Sequence, residues 1–305
     1  MGATWTDLVD PTLEELREHA PRELEESALA LLLAKPAHED EPRPTLQGHG
    51  EYVFGVFLAA IAAHEEDLVY YQEIDIVLTH ETLLTVRKTP KECGPFDIED
   101  PREAVRPNDS TGMIVYRMLD KIAEQYLDLV DDVDEEIDEL EEGVEKSSAE
   151  ETRERISHLR HELLRIRRTL TPMRDAVRRV VDDVVEVESG PEVFPHEVEV
   201  EVAFNGAYDK FLRATDGLDL SRDLLAGVRD YLQAKIANDQ NEVMKKLTVI
   251  ASLLLVPTFI VGVYGQNFKH NFPETKWRFG YEFSWTLIIV TTLLQLWFYR
   301  RKRWI

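Results

Sequence analysis

Leu247 to Tyr264 reads LTVIASLLLVPTFIVGVY, 18 residues without a charge. As a helix this run is about 27 Å long, close to the thickness of a bilayer's hydrocarbon core. A second run, Phe283 to Tyr299, reads FSWTLIIVTTLLQLWFY, again without a charge. A core helix of a soluble protein can reach this length, but three features point to a membrane. The two runs form a pair of spanning length. Bases flank their outer ends: Lys245 and Lys246 before the first, Arg300, Arg301, Lys302 and Arg303 after the second. Aromatic residues mark the ends, with Tyr264, Trp285, Trp297, Tyr299 and Trp304 suited to the water–lipid interface. Two transmembrane helices are expected, 247–264 and 283–299.

The charge balance agrees. The chain of 305 residues has a net charge of −24, but it is segregated. Met244 to Ile305 is +7 and the rest is −31. Lys and Arg are denser on the outer flanks than in the connector 265–282. The positive-inside rule then puts the large N-terminal region and the basic tail 300–305 in the cytoplasm, and the connector outside. The expected location is a multi-pass protein of the cell membrane with both termini cytoplasmic. No secretory signal is expected at the start, since no basic and apolar run follows Met1. The opening Met1-Gly2-Ala3-Thr4-Trp5-Thr6 fits the loose acylation pattern, with nothing polybasic beside it. The acidic balance argues against binding nucleic acid through a basic face. The lone Cys93 excludes an internal disulfide framework and a cysteine zinc finger.

Two helices per chain cannot enclose an aqueous path, so any pore requires a ring of identical chains. The first span has a face for this. Ala251, Leu255, Thr258 and Gly262 recur at spacings of 4, 3 and 4, and Asn241, Met244 and Leu247 or Thr248 continue the stripe. Small, weakly polar residues also suit close helix packing in lipid. Spacing alone leaves both roles open. Pro257 removes one backbone donor within the span.

The region before the spans reads as a cytoplasmic α/β domain over 1–108, an antiparallel helical hairpin over 109–195 and a stalk helix over 196–246. In the first, Asp10-Pro11-Thr12-Leu13-Glu14-Glu15 is a helix start. Tyr52–Leu58 and Tyr71–Leu78 are strand-like, and Glu81–Arg87 follows a turn at Thr79-His80 to make a hairpin. In the hairpin region, Leu119, Ile122, Tyr126, Leu129, Val133, Ile137, Leu140 and Val144 form a heptad-like seam. Asp128 to Glu145 carries 11 acids and no base. After Lys146-Ser147-Ser148, a second seam runs from Ile156 through Leu159, Leu163, Ile166, Leu170, Met173, Val177 and Val180 to Val184 and Val187. Its stretch Arg153–Arg179 is +6, complementary to its acidic neighbour. The acid run is either a solvated face or a site for hard divalent cations; it lacks the glycine and spacing of an EF-hand loop. A third helix starts after Pro195, carries Val202, Tyr208, Phe211 and Leu212, and continues through Leu225, Val228, Leu232, Ile236 and Val243 into the first span. Gly206, Gly217 and Gly227 are its weak points. No phosphate loop, histidine metal set or catalytic triad is recognisable, so no enzymatic activity and no organic cofactor are expected.

Tyr264-Gly265-Gln266-Asn267-Phe268, at the outer end of the first span, closely resembles the YGMNF signature of the CorA family of divalent-cation channels. Pro273-Glu274, Trp277, Gly280-Tyr281 and the basic end Arg300-Arg301-Lys302-Arg303-Trp304 follow in the family's order. Trp5-Thr6-Asp7-Leu8 with Asp10-Pro11-Thr12 resembles its opening, and Glu73-Ile74-Asp75-Ile76 to Val86 its strand hairpin. The resemblance implies an α+β cytoplasmic funnel with long helices, two C-terminal transmembrane helices and a homopentamer carrying Mg²⁺, with Co²⁺ or Ni²⁺ as further substrates. It implies that Asn267 rings the outer mouth, shaped by Tyr264, Gly265 and Gln266, with Glu274 in the outer loop. Colinear spacing from Asn267 implies polar steps at Thr258 and Asn241, a hydrophobic gate at Met244, Leu247 and Leu255, further lining at Ala251 and Gly262, and an acidic ring at Asp230. Arg300, Arg301, Lys302 and Arg303 form a basic cytoplasmic ring. Intracellular Mg²⁺ is implied as a regulatory ligand, but its carboxylates are not matched residue by residue. Two departures stand out: Gln266 replaces the usual Met, and Pro257 is shifted by one position. Gln266 keeps a Zn²⁺ transporter of the same fold open. A membrane-anchored helical scaffold without conduction is the rival of another class.

Overall fold

A computed structural model describes residues 3–22, 24–35, 42–63, 68–89, 96–185, 187, 193–194, 198–266 and 277–304. The chain packs as two units, Met1–Arg229 and Asp230–Ile305.

The first unit is built on a five-stranded sheet ordered β1-β5-β4-β3-β2. Three strands are the expected ones, β3 (Tyr52–Ala63), β4 (Leu68–Leu78) and β5 (Thr82–Lys88). The hairpin between β4 and β5 closes where Thr79 accepts from the Thr82 amide through Oγ1 and donates its own amide to the Thr82 carbonyl. The strands β1 (Thr4–Val9) and β2 (Thr45–His49) were not anticipated. They form the sheet's two edges, β1 running parallel to β5 and β2 antiparallel to β3. Helix α1 (Leu13–His19) begins at the expected place. Thr12 caps the Glu15 amide while Glu15 returns a bond to the Thr12 amide. Leu16 of α1 and Ala28 and Leu32 of α2 (Glu26–Leu33) cover one face of the sheet over Tyr52, Phe54, Val56, Val77, Leu84 and Val86.

That face also buries charge. Lys88 Nζ contacts Glu73 Oε1 at 2.5 Å, Asp75 Oδ2 at 2.8 Å and the Leu31 carbonyl at 2.9 Å. The register sets these residues on the same face as Val56, Val77, Leu84 and Val86, and α2 reaches them at Leu31. Burial pushes the Asp75 carboxyl up to about 7; the Glu73 charge adds to this and Lys88 opposes it. At the edge, Arg87 bridges Asp7 of β1 and donates to the Phe96 carbonyl at 2.6 Å.

The long helices pack against the sheet's other side. Helix α3 (Glu99–Glu103) leads to α4 (Thr111–Gly143), capped by Ser110, and α5 (Ala149–Val181), capped by Ser148. Every residue of the first expected seam, Leu119 to Val144, is buried. Tyr126 Oη donates to the Leu58 carbonyl of β3 at 3.2 Å, and Thr111 Oγ1 donates to the Thr79 carbonyl at 2.8 Å. The second seam holds through Val177 but stops sooner than its spacing suggests. Asp182 caps α5 and Asp183 turns left-handed at φ 56°, so Val184 is exposed. The charge complementarity is realised between α4 and α5 at Glu136–Arg155 (3.5 Å), while Arg167 reaches Asp219 of the next helix at 3.0 Å.

Helix α6 (Val198–Tyr264) is continuous through 67 residues. Its buried line in the first unit is Phe204, Ala207, Phe211, Ala214, Leu218, Ser221, Leu225 and Val228, again alternating 3 and 4. Val202, expected in this core, is off that line and exposed. Phe211 packs on Tyr126 with ring centroids 6.1 Å apart. Gly217 is not merely a tolerated weak point: a Cβ there would stand 2.9 Å from Val130 Cγ1.

Candidate functional site

The second unit holds the end of α6 and helix α7 (Gly280–Arg301). By length and composition, among the described residues only α6 is apolar enough to cross a membrane, with mean hydropathy 2.2 over its most apolar window. α7 is 22 residues long, about 33 Å, but Thr286, Thr291, Thr292, Gln295 and its tryptophans dilute its apolar run.

The surface of this unit is inverted relative to a soluble protein. Ile250, Leu254, Phe259, Val261, Leu293 and Leu294 are all more than half exposed. A surface of contiguous large apolar residues is at home in lipid. The face of α6 that is buried carries Val249, Ile260 and, in part, Ser252, Leu253, Val256 and Val263. Tyr299 and Gln295 of α7 reach this side at Ser252.

At about 100° per residue, Met244, Leu247, Ala251, Leu255, Thr258 and Gly262 fall within about 40° of one line. That line lies on the opposite side of α6 from Val249, Val256 and Ile260. All six are exposed, Met244 at 61%, Leu247 at 55% and Leu255 at 68%. Asn241 is exposed at the edge of the same stripe, and Asp230 is exposed further down. The sequence-derived stripe is therefore the side of α6 that α7 leaves uncovered.

The stripe's polar groups are oriented by the helix itself. Thr258 Oγ1 donates to the Leu254 carbonyl at 2.7 Å, and Thr248 Oγ1 to the Met244 carbonyl at 2.8 Å. A hydroxyl whose proton is spent in this way offers only lone pairs to its surroundings. Pro257 donates no bond to the Leu253 carbonyl, which marks a break in the ladder. At the C-terminal end of α6, the Gly265 amide returns to the Val261 carbonyl at 2.8 Å and the Gln266 amide to the Val263 carbonyl at 3.4 Å. The last turn of α6 holds no base to offset the negative end of its dipole. Asn267 and Glu274 lie outside the described residues, as do Cys93 and Pro195. At the other end of α7, Arg300, Arg301, Lys302 and Arg303 are exposed, and Arg301 stacks over Trp297 at 5.6 Å.

The acid run of α4 has a different fate. Asp131, Asp132, Glu135, Asp138, Glu139, Glu141, Glu142 and Glu145 form its exposed face. Among the described residues no group of three His, Cys, Asp or Glu side chains converges on a metal position. The sequence reading missed the set formed by Ser252, Gln295 and Tyr299, because its members lie on two helices that only the fold brings together.

Known proteins place this architecture. A relative from Thermotoga maritima, a cobalt/magnesium transport protein CorA, is 28% identical over 275 residues, covering 86% of this chain and 73% of its own. One of the same name from Methanocaldococcus jannaschii is 23% identical and covers 99% of this chain and 91% of its own. The complete structure of the magnesium transporter CorA from M. jannaschii shares the fold, with a TM-score of 0.74 at 21% identity over 99% of this chain and 91% of that one. The family of CorA-like Mg²⁺ transporter proteins matches residues 2–302, and the chain belongs to that membrane-integral family.

Proposed function

We propose that the chain is the subunit of a homopentameric channel through which Mg²⁺ enters the cell, with Co²⁺ or Ni²⁺ as further substrates. The observation that carries this reading is the uncovered stripe of α6, opposite the side that α7 occupies. Five copies with α7 outermost would turn Met244, Leu247, Ala251, Leu255, Thr258 and Gly262 toward a common axis. Family membership and the names of the relatives support the cation class. The organisation follows the sequence reading: an α/β domain over 1–108, a helical hairpin over 109–195, a stalk over 196–246, spans at 247–264 and 283–299 joined by an outer loop 265–282, and a basic cytoplasmic tail 300–305.

The chemistry suits a hydrated ion. Mg²⁺ sheds water reluctantly. Its bound waters point their hydrogens outward, so a path must present acceptors. Asn267 supplies an amide oxygen at the mouth beside Tyr264, Gly265 and Gln266. The C-terminal dipole of α6 adds partial negative charge there without a fixed carboxylate that would hold the ion. Thr258 and Asn241 are the acceptors below. Met244, Leu247 and Leu255 form an apolar constriction that closes by dewetting. Asp230 adds an acidic ring on the cytoplasmic side, and Glu274 a charge in the outer loop. A membrane potential of 100 mV drives a divalent ion with about 4.6 kcal/mol. Intracellular Mg²⁺ acts as the negative-feedback ligand, bridging acids between neighbouring chains; the exposed acid face of α4 supports this.

Flux through purified protein in proteoliposomes tests the mouth. Asn267→Ala should cut Mg²⁺ uptake at least tenfold with the oligomer intact. Uptake at the unmodified rate and equal protein level would sink the assignment. Gln266 favours a second reading, a Zn²⁺ transporter of the same fold. Zn²⁺ flux exceeding Mg²⁺ flux in the same vesicles would select it.

A further inference from the structure

Polar contacts join the two helices of the second unit at one level. Tyr299 Oη donates to Ser252 Oγ at 2.7 Å, and Gln295 Nε2 donates to the Ser252 carbonyl at 3.3 Å. Ser252 Oγ in turn donates to the Val249 carbonyl at 2.9 Å. Gln295 and Tyr299 are one turn apart and share a face of α7. All three residues are partly buried between the helices.

The level matters. Ser252 precedes by one residue the Leu253 carbonyl that Pro257 leaves without a helical donor. Met244 and Leu247 lie one to two turns on the cytoplasmic side. The contacts therefore grip α6 between Leu247 and Leu255, next to its backbone break. In hydrocarbon no hydrophobic force holds one helix to another, so hydrogen bonds and close packing decide where a span sits. The stripe itself, with Ala251, Thr258 and Gly262, favours close approach between copies of α6. The grip of α7 acts on the other side and opposes that approach.

We propose that Gln295 and Tyr299 are positioning residues that hold Ser252, and with it the α6 segment below Pro257, back against α7, keeping the stripes of neighbouring copies from closing on one another. This rests on the channel reading above. Losing the grip favours the closed arrangement. The Mg²⁺ concentration that halves flux should fall about threefold for each hydrogen bond removed.

The test uses full-length protein in proteoliposomes, with Tyr299→Phe and Gln295→Leu singly and together. Ser252→Ala should match Tyr299→Phe, and combining those two should add nothing. Ser252→Thr, which keeps the hydroxyl, should behave as the unmodified chain. The ranking of cations should not change in any of them. An unchanged or raised half-closing concentration overturns the proposal, as does lower assembly with unchanged flux per assembled channel. A second measurement needs no conduction. Spin labels at Ile250→Cys and Leu296→Cys, both exposed, are introduced with Cys93→Ser and diluted with unlabelled chains. The α6–α7 distance distribution should broaden or shift in Tyr299→Phe/Gln295→Leu. An unchanged distribution overturns the tether whether or not the chain conducts, and so separates its failure from failure of the channel reading.

Discussion

Helix α6 is one helix with two surfaces. Between Phe204 and Val228 one line of apolar residues is hidden, while Leu220 and Leu224 stand exposed among the charges of the outer face. Between Met244 and Gly262 its large apolar residues face out, and only the side toward α7 is covered. The same 3-and-4 spacing serves both stretches, so the period alone does not say which face is inside. The solvent decides. In water, burial of Phe204, Phe211, Leu218 and Leu225 drives packing. In lipid, packing depends on small residues and hydrogen bonds, and an exposed Leu254 or Phe259 costs nothing.

The largest effect expected from this contrast is on stability. Phe211→Ala, fully buried against Tyr126, should destabilise the first unit by about 3–5 kcal/mol. Leu255→Ala, 68% exposed on the stripe, should leave thermal unfolding of that unit unchanged. Equal losses in the two variants would erase the contrast. A smaller but directional effect is expected in conduction. Met244→Asn and Leu247→Asn put an acceptor into the apolar constriction and should raise basal Mg²⁺ flux several-fold in closing conditions. Unchanged basal flux in both would move the constriction elsewhere.

A pH dependence sharpens the soluble side. Asp75 is raised from 3.8 to about 7 by burial beneath α2. The folded unit therefore holds this proton over a range in which the unfolded chain has lost it. That contribution is complete below about pH 4 and disappears as pH rises through 7. Asp75→Asn removes the titration. Comparing thermal unfolding of the two chains from pH 5 to 8, the difference should move steadily in the variant's favour. A pH-independent difference would mean that Asp75 ionises in the fold as it does in water.

The long helices were legible because the seams Leu119–Val144 and Leu159–Val177 repeat many times, and Ser110 and Ser148 mark their starts. The hairpin of β4 and β5 was legible from alternation and a short turn. The edge strand β1 was not: it pairs with β5 about eighty positions away, and its half-exposed side chains show no strong period. The buried cluster of Glu73, Asp75 and Lys88 was not legible either, because its members meet only when β4 and β5 pair and α2 comes down at Leu31. The stripe of α6 could be found because it lies within one helix. The grip at Ser252 could not, because Gln295 and Tyr299 sit more than forty residues away on a helix whose rotation the sequence does not specify.

The uncovered side of α6 is proposed to line a path for divalent cations. Uptake of Mg²⁺ into proteoliposomes holding the purified full-length chain, driven by an inside-negative potential and read with an internal Mg²⁺ indicator, tests it most directly. Uptake should rise with the potential, be shared by Co²⁺ or Ni²⁺, and fall as internal Mg²⁺ accumulates. Vesicles that contain the assembled protein yet take up Mg²⁺ no faster than empty ones would contradict it.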